Sequence, residues 1–291
     1  MEITLHTQSL HLTVETLGAQ MTHLQLSDGT EYLWQGDAQY WPDRAPTLFP
    51  FIARLTEDSY RYQGQVYHMG IHGFAAQSEF EPIVQEPDHL VLELRDSEIT
   101  RQQYPFAFCL QIGFRLKGQQ VEISYHVENL DSRLMPFGIG GHPGFRVPLE
   151  DGTSFGDYSL CFAHPCQPER VGFTPALYLS GTDSPYPLTD GVKIPLHHGL
   201  FDEDAIVLRH MDREVALCCE GSERSVTVSY PDFPYLGIWH APCTDAPYVC
   251  IEPWTSLPAR QDVVEELTCK GDMIRLAPGG VWDTCWSIRL S

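Results

Sequence analysis

The feature that most restricts this chain is a long run of alternating polarity near its middle. Phe106, Phe108, Leu110, Ile112, Phe114 and Leu116 fall on one face of an extended segment, with Gln111, Arg115 and Lys117 on the other. Successive side chains of a strand point to opposite faces, so this period of two sets all six apolar residues against a core. Gly118-Gln-Gln then supplies a turn. Val121, Ile123, Tyr125 and Val127 resume the alternation opposite Glu122, Ser124, His126 and Glu128, which predicts a hairpin. Shorter runs of the same kind occur at Leu10 to Val14, Leu90 to Leu94, Val215 to Cys219, Val226 to Tyr230 and Trp282 to Leu290. Only the stretch from Asp262 to Leu267 has helix-like spacing, with Asp262 as a cap and Gly271 as a stop.

Many short strands without alternating long helices predict an all-β fold, a large antiparallel sandwich or barrel rather than a doubly wound sheet. Proline and glycine are spread evenly and no repeat or linker interrupts the pattern, so residues 1–291 are expected to form a single domain. The formal net charge of -21 repels nucleic-acid phosphates and anionic lipid headgroups, which points to a neutral small molecule as partner. No apolar run is long enough to span a bilayer. The start, Met1-Glu-Ile-Thr-Leu-His-Thr, does not read as a secretory signal. Nine scattered cysteines, with an adjacent pair at Cys218-Cys219 and no Cys-x-x-Cys, fit reduced thiols and a cytoplasmic location.

Four islands rich in Gly, Pro, His and aromatics break the alternation, and such islands on a β scaffold are expected to be binding loops. They are Leu48-Phe-Pro-Phe-Ile-Ala-Arg-Leu55, Ile71-His-Gly-Phe-Ala75, Phe137-Gly-Ile-Gly-Gly-His-Pro-Gly-Phe145, and Phe233-Pro-Tyr-Leu-Gly-Ile-Trp239 followed by Tyr248-Val-Cys-Ile-Glu-Pro-Trp254. Glu252 lies between Ile251 and Pro253-Trp254, where an idle carboxylate would be costly to desolvate. His142 follows two glycines and precedes a proline, a tightly specified setting for an imidazole. His68 and His72 are four apart, but Gly70 and Gly73 argue against the helix that would align them on a metal. His197-His198 and Cys218-Cys219 are adjacent pairs whose members point to opposite faces of a strand, and both read as structural. Neither a phosphate-binding Gly-Lys-Ser/Thr loop nor a dinucleotide fingerprint is present.

Taken in order, these islands, together with Tyr32-Leu-Trp-Gln-Gly-Asp37, resemble the LacX-like bacterial branch of the aldose 1-epimerase (galactose mutarotase) family. The resemblance implies a β-supersandwich with an open sugar cleft, interconversion of the α and β anomers of a free hexose, and neither a metal nor an organic cofactor. It implies Glu252 as general base and His142 as general acid, with Arg54 and His72 at substrate-holding positions. It also implies that Asp204 grips sugar hydroxyls, although Asp202 and Glu203 stand beside it in the same short motif. Trp239, Phe74 and Trp254 are aromatics able to stack on a sugar face, or to serve in packing.

Opening a pyranose requires a proton to leave the anomeric hydroxyl and another to reach the ring oxygen, so one base and one acid suffice. Negative charge from Glu252 is expected to raise the His142 pKa and keep it charged as an acid. The same reaction on a hexose 6-phosphate would need a cationic pocket. The family often has an Arg directly after His-Gly-Phe-Ala, where this chain has Ala76, leaving Arg44, Arg61 or Arg146 to supply charge. A sugar-binding module without turnover would have no need of an acid and a base together, and a glycoside hydrolase would ordinarily use two carboxylates. His240 departs from the family pattern, which has a small residue after Gly-Ile-Trp. The expected partner is a monosaccharide, and the expected assembly a monomer or homodimer.

Overall fold

The central hairpin forms as its polarity predicts. In the computed structural model, which describes Met1–Ser291, Phe108–Lys117 pairs antiparallel with Gln120–Asn129, from Lys117 opposite Gln120 to Asn129 opposite Phe108. Two residues, Gly118 and Gln119, close the turn, and Gly118 takes the positive φ (+61°) that a tight hairpin needs. All six alternating apolar residues from Phe106 to Leu116 are buried.

This hairpin sits within a nine-stranded antiparallel sheet. Its strand order is Lys193–Pro195, Tyr158–Phe162, Glu214–Cys219, Ser225–Ser229, Val281–Leu290, Gln120–Asn129, Phe108–Lys117, His89–Arg95 and Glu81–Gln85. A second antiparallel sheet of eight strands runs through Ser184–Pro185, Glu169–Arg170, Ile206–Arg209, Tyr235–Trp239, Tyr248–Trp254, Gly140–Gly141 and Thr47–Leu48, with Gly144–Arg146 also paired to Tyr248–Trp254. The sheets face each other. Trp286 of the first lies so close to Gly141 of the second that a Cβ there would sit 2.6 Å from its indole. Residues of both sheets share one cluster of 67 buried apolar side chains, which also takes in Ile3 near one end of the chain and Leu290 near the other. The fold is thus an all-β antiparallel sandwich, and the shorter predicted strands are all present as Leu10–Glu15, His89–Arg95, Glu214–Cys219, Ser225–Ser229 and Val281–Leu290.

Two expectations are corrected. No α-helix forms over Asp262 to Leu267: Asp262 is left-handed (φ +58°), and only the 3-10 turn Leu267–Cys269 follows. The segment spends its hydrogen bonds elsewhere, since Arg260 clamps Glu265 through two bonds of 2.9 and 3.0 Å and the Glu265 carbonyl accepts from Arg61 N–H. The α-helix lies instead at Glu98–Gln103, held by a capping box between Ser97 and Thr100. Secondly, two islands expected as loops are strands. Tyr248–Trp254 is buried at every residue and Tyr235–Trp239 at its three central ones, so neither shows the alternation of a strand with a solvent face.

Candidate active site

The strand Tyr248–Trp254 turns Val249 and Ile251 into the main core and Cys250, Glu252 and Trp254 to the opposite face. Its neighbour Tyr235–Trp239 sets Gly237 opposite Glu252 and Trp239 opposite Cys250. Gly237 makes this approach close. A Cβ would stand 3.2 Å from the Glu252 Cβ and 3.1 Å from the Trp254 ring. The Gly-Gly-His-Pro-Gly segment is tied to the same strand, through Gly140 opposite Trp254, Gly144 opposite Cys250, and a bond from Ile251 N–H to the Pro143 carbonyl. That pairing brings His142 over Glu252, with Nε2 and Oε2 3.3 Å apart.

Both groups are almost enclosed, Glu252 at 1% exposure and His142 at 8%. The Trp254 indole N–H donates to Glu252 Oε2 (3.2 Å). Trp41 stacks on the His142 ring (centroids 4.8 Å apart), and His72 and Trp239 each meet it edge-on at 5.6 Å. His72 is fixed in a left-handed turn (φ +64°) where Ala53 N–H donates to its Nδ1 (3.1 Å), so in the neutral ring Nε2 carries the proton. Gly73 allows this turn: φ is +77° and a Cβ would lie 2.2 Å from the Phe49 carbonyl oxygen. The pair opens on a cavity of about 300 Å³, at the lower end of small-molecule site volumes.

Burial governs the protonation of the pair. It pushes Glu252 well above the usual carboxylate range, opposed by the Trp254 hydrogen bond. It also pulls His142 well below the usual imidazole range, helped by the neighbouring His72. The expected rise in the His142 pKa is therefore reversed, because loss of water outweighs the nearby carboxylate and that carboxylate is itself driven towards its neutral form. His72 is lowered to about 4, first by burial and then by Arg54. His142, Cys250 and Glu252 are the one group of side chains with metal-ligand chemistry gathered here. Their donor atoms span up to 4.8 Å, wider than the roughly 3.5 Å between ligands of a tetrahedral zinc.

Comparison with known proteins decides the family. Residues 1–264 match the family model for aldose 1-epimerase. This chain belongs to the aldose 1-epimerase family. It is 31% identical over 286 residues to the chromosomal protein LacX of Lactococcus lactis subsp. lactis, covering 96% of this chain and 95% of that one. The fold is similar to a galactose mutarotase related enzyme from Lactobacillus acidophilus (31% identity, TM-score 0.95, 100% of this chain and 97% of that one). A galactose mutarotase-like protein from Lactobacillus casei ATCC 334 is similar at 29% identity and a TM-score of 0.93, with both chains fully covered.

Within this epimerase fold, all six residues singled out in the sequence reach one cavity: Glu252, His142, Arg54, His72, Asp204 and Trp239 line it. Of the acidic trio, Asp204 lines it and Asp202 and Glu203 face a neighbouring groove. Trp254 lies in its wall, whereas Phe74 packs against Phe49, Tyr104 and Phe108 in the core. His240 is fully buried on the other side of its strand from Trp239, beside His198 (3.2 Å), and does not reach the cavity. Arg44, Arg61 and Arg146 do not line it either, so Arg54 is its one guanidinium. The lining residues missed include Trp41 and Asp43, the latter raised in pKa by burial. Their signal was the string Tyr40-Trp-Pro-Asp43, an aromatic and proline cluster just after Tyr32-Leu-Trp-Gln-Gly-Asp37.

Proposed function

We propose that this chain is an isomerase interconverting the α and β anomers of a free hexose by acid–base opening and reclosure of the ring. The observation that carries the reading is the buried Glu252–His142 contact of 3.3 Å at the wall of a cavity sized for a small molecule. Between them the two groups hold one proton, arranged either as imidazole with carboxylic acid or as imidazolium with carboxylate. Burial favours the first in the empty cleft. Sugar hydroxyls donating to Glu252 favour the second, in which the carboxylate takes the anomeric proton and the imidazolium protonates the ring oxygen. Rotation about the adjacent carbon bond presents the other aldehyde face, and the reverse transfers close the ring. Arg54, His72 Nε2–H, Asp43 and Asp204 offer hydrogen bonds to the remaining hydroxyls, and Trp239 offers an apolar wall.

The charge around the cavity favours an unphosphorylated sugar. The Glu252–His142 pair carries no net charge in either arrangement, and Asp43 and Asp204 face a single guanidinium, Arg54, which is a poor setting for a phosphate dianion. The test is anomer exchange followed by NMR on glucose, galactose and glucose 6-phosphate, with Glu252→Gln and His142→Asn. The neutral hexoses should exchange faster than in buffer, and each variant should lose on the order of 10²- to 10⁴-fold. If every sugar relaxes at its uncatalysed rate, a binding module takes the place of this reading; faster turnover of glucose 6-phosphate moves the substrate class.

A further inference from the structure

Away from the cavity, two thiols meet on the outer face of the nine-stranded sheet. Leu160 and Phe162 of Tyr158–Phe162, and Val215 and Leu217 of Glu214–Cys219, point into the core, so alternation turns Cys161 and Cys218 to the other face. The register sets Cys161 opposite Ala216 and Cys218 opposite Ser159, one step along, and the two sulfurs are 3.2 Å apart. Ala216 has no side chain long enough to separate them. Both thiols are part-exposed, and Lys193, opposite Cys161 on the edge strand Lys193–Pro195, is exposed beside them. Cys243, Cys269 and Cys285 are exposed but have no sulfur neighbour, and Cys109 and Cys250 are buried.

We propose that Cys161 and Cys218 form a redox-active dithiol that a hydroperoxide closes to a disulfide. The Cys161 thiolate attacks the peroxide; an S–O bond forms, the O–O bond breaks, and the leaving oxygen departs as water or alcohol after taking a proton. The Cys218 sulfur then attacks the Cys161 sulfenic acid, an S–S bond forms, and the hydroxyl leaves as water with the Cys218 proton. Two thiols are oxidised and one peroxide is reduced. The Cys218 thiol donating to the Cys161 sulfur, with Lys193 assisting against burial, holds Cys161 down at about 7, which makes it the attacking partner. Closure needs the sulfurs to approach by about 1.2 Å, to the usual bond length near 2.05 Å. The two residues stand diagonally across the register, where Cα atoms are roughly 7–8 Å apart, so closure also draws Tyr158–Phe162, with only Lys193–Pro195 beyond it at the sheet edge, towards Glu214–Cys219.

The test is peptide mapping after one equivalent of hydrogen peroxide at pH 7, with N-ethylmaleimide added to block the remaining thiols. The expected product is a Cys161–Cys218 cross-link that dithiothreitol reverses, formed at least about tenfold faster than Cys243 oxidises. In Cys218→Ser, Cys161 should accumulate as a sulfenic acid trapped by dimedone. In Cys161→Ser, Cys218 should remain alkylatable. The proposal is overturned if both thiols stay alkylated while the exposed cysteines oxidise, or if Cys218 reacts as fast without Cys161 as with it.

Discussion

Glu252 stands where a carboxylate is hardest to keep ionised, and that placement gives it a measurable signature apart from turnover. Its folded pKa lies above the unfolded value, so the folded state binds the extra proton. Its contribution to stability is whole below the unfolded carboxylate pKa and is lost as pH rises through the folded one. Glu252→Gln should therefore melt higher than the wild type at pH 8, and the gain should shrink towards pH 4, as thermal denaturation at the two pH values will show. The same pair shapes the rate. With His142 lowered and Glu252 raised, the one-proton state spans the interval between the two apparent pKa values, which belong to the pair. kcat/KM should be flat across that interval and fall on both sides. A rate that continues to climb with pH beyond it would contradict a required proton on the pair.

At the scale of elements, the sequence signals that mattered were backbone ones. Gly73 fits because any Cβ would strike the Phe49 carbonyl, and the turn it allows is the turn that presents His72. Gly73→Ala should cost more than about 2 kcal/mol, combining a left-handed penalty with the clash, and should also slow anomer exchange. Ser97→Ala is the contrast: it removes a capping box far from the cavity and should cost about 1 kcal/mol with exchange unchanged. Urea titrations paired with NMR exchange rates will separate the two. The helix at Glu98–Gln103 escaped notice because six residues carry too little periodicity to stand out, whereas its cap, Ser97-x-x-Thr100, was readable. Tyr235–Trp239 and Tyr248–Trp254 read as loops for the opposite reason: strands buried along most of their length lack the polar-outward alternation that marks strands with a solvent face.

Across the whole molecule, histidines held neutral by burial tie stability to pH. His240 is lowered to about 4 and His142 also falls below its usual range, both chiefly by desolvation. At these sites the unfolded chain binds more protons as pH drops below about 6.5, so the histidines' contribution to stability falls with falling pH, by up to about 1.4 kcal/mol per pH unit each, opposite in sign to that of Glu252. Chemical denaturation at pH 7 and pH 5 should show the loss, and His240→Asn should reduce the slope. The sequence alone determined the fold class, because period-two burial is a local property, and its resemblance to the aldose 1-epimerase family pointed to six of the side chains that meet at the cavity. What only the tertiary structure decided was the state of those side chains. The His142 pKa moved opposite to expectation, Trp41 and Asp43 joined the wall, and Cys161 met Cys218, because dehydration and cross-strand distance depend on which distant segments close over a residue.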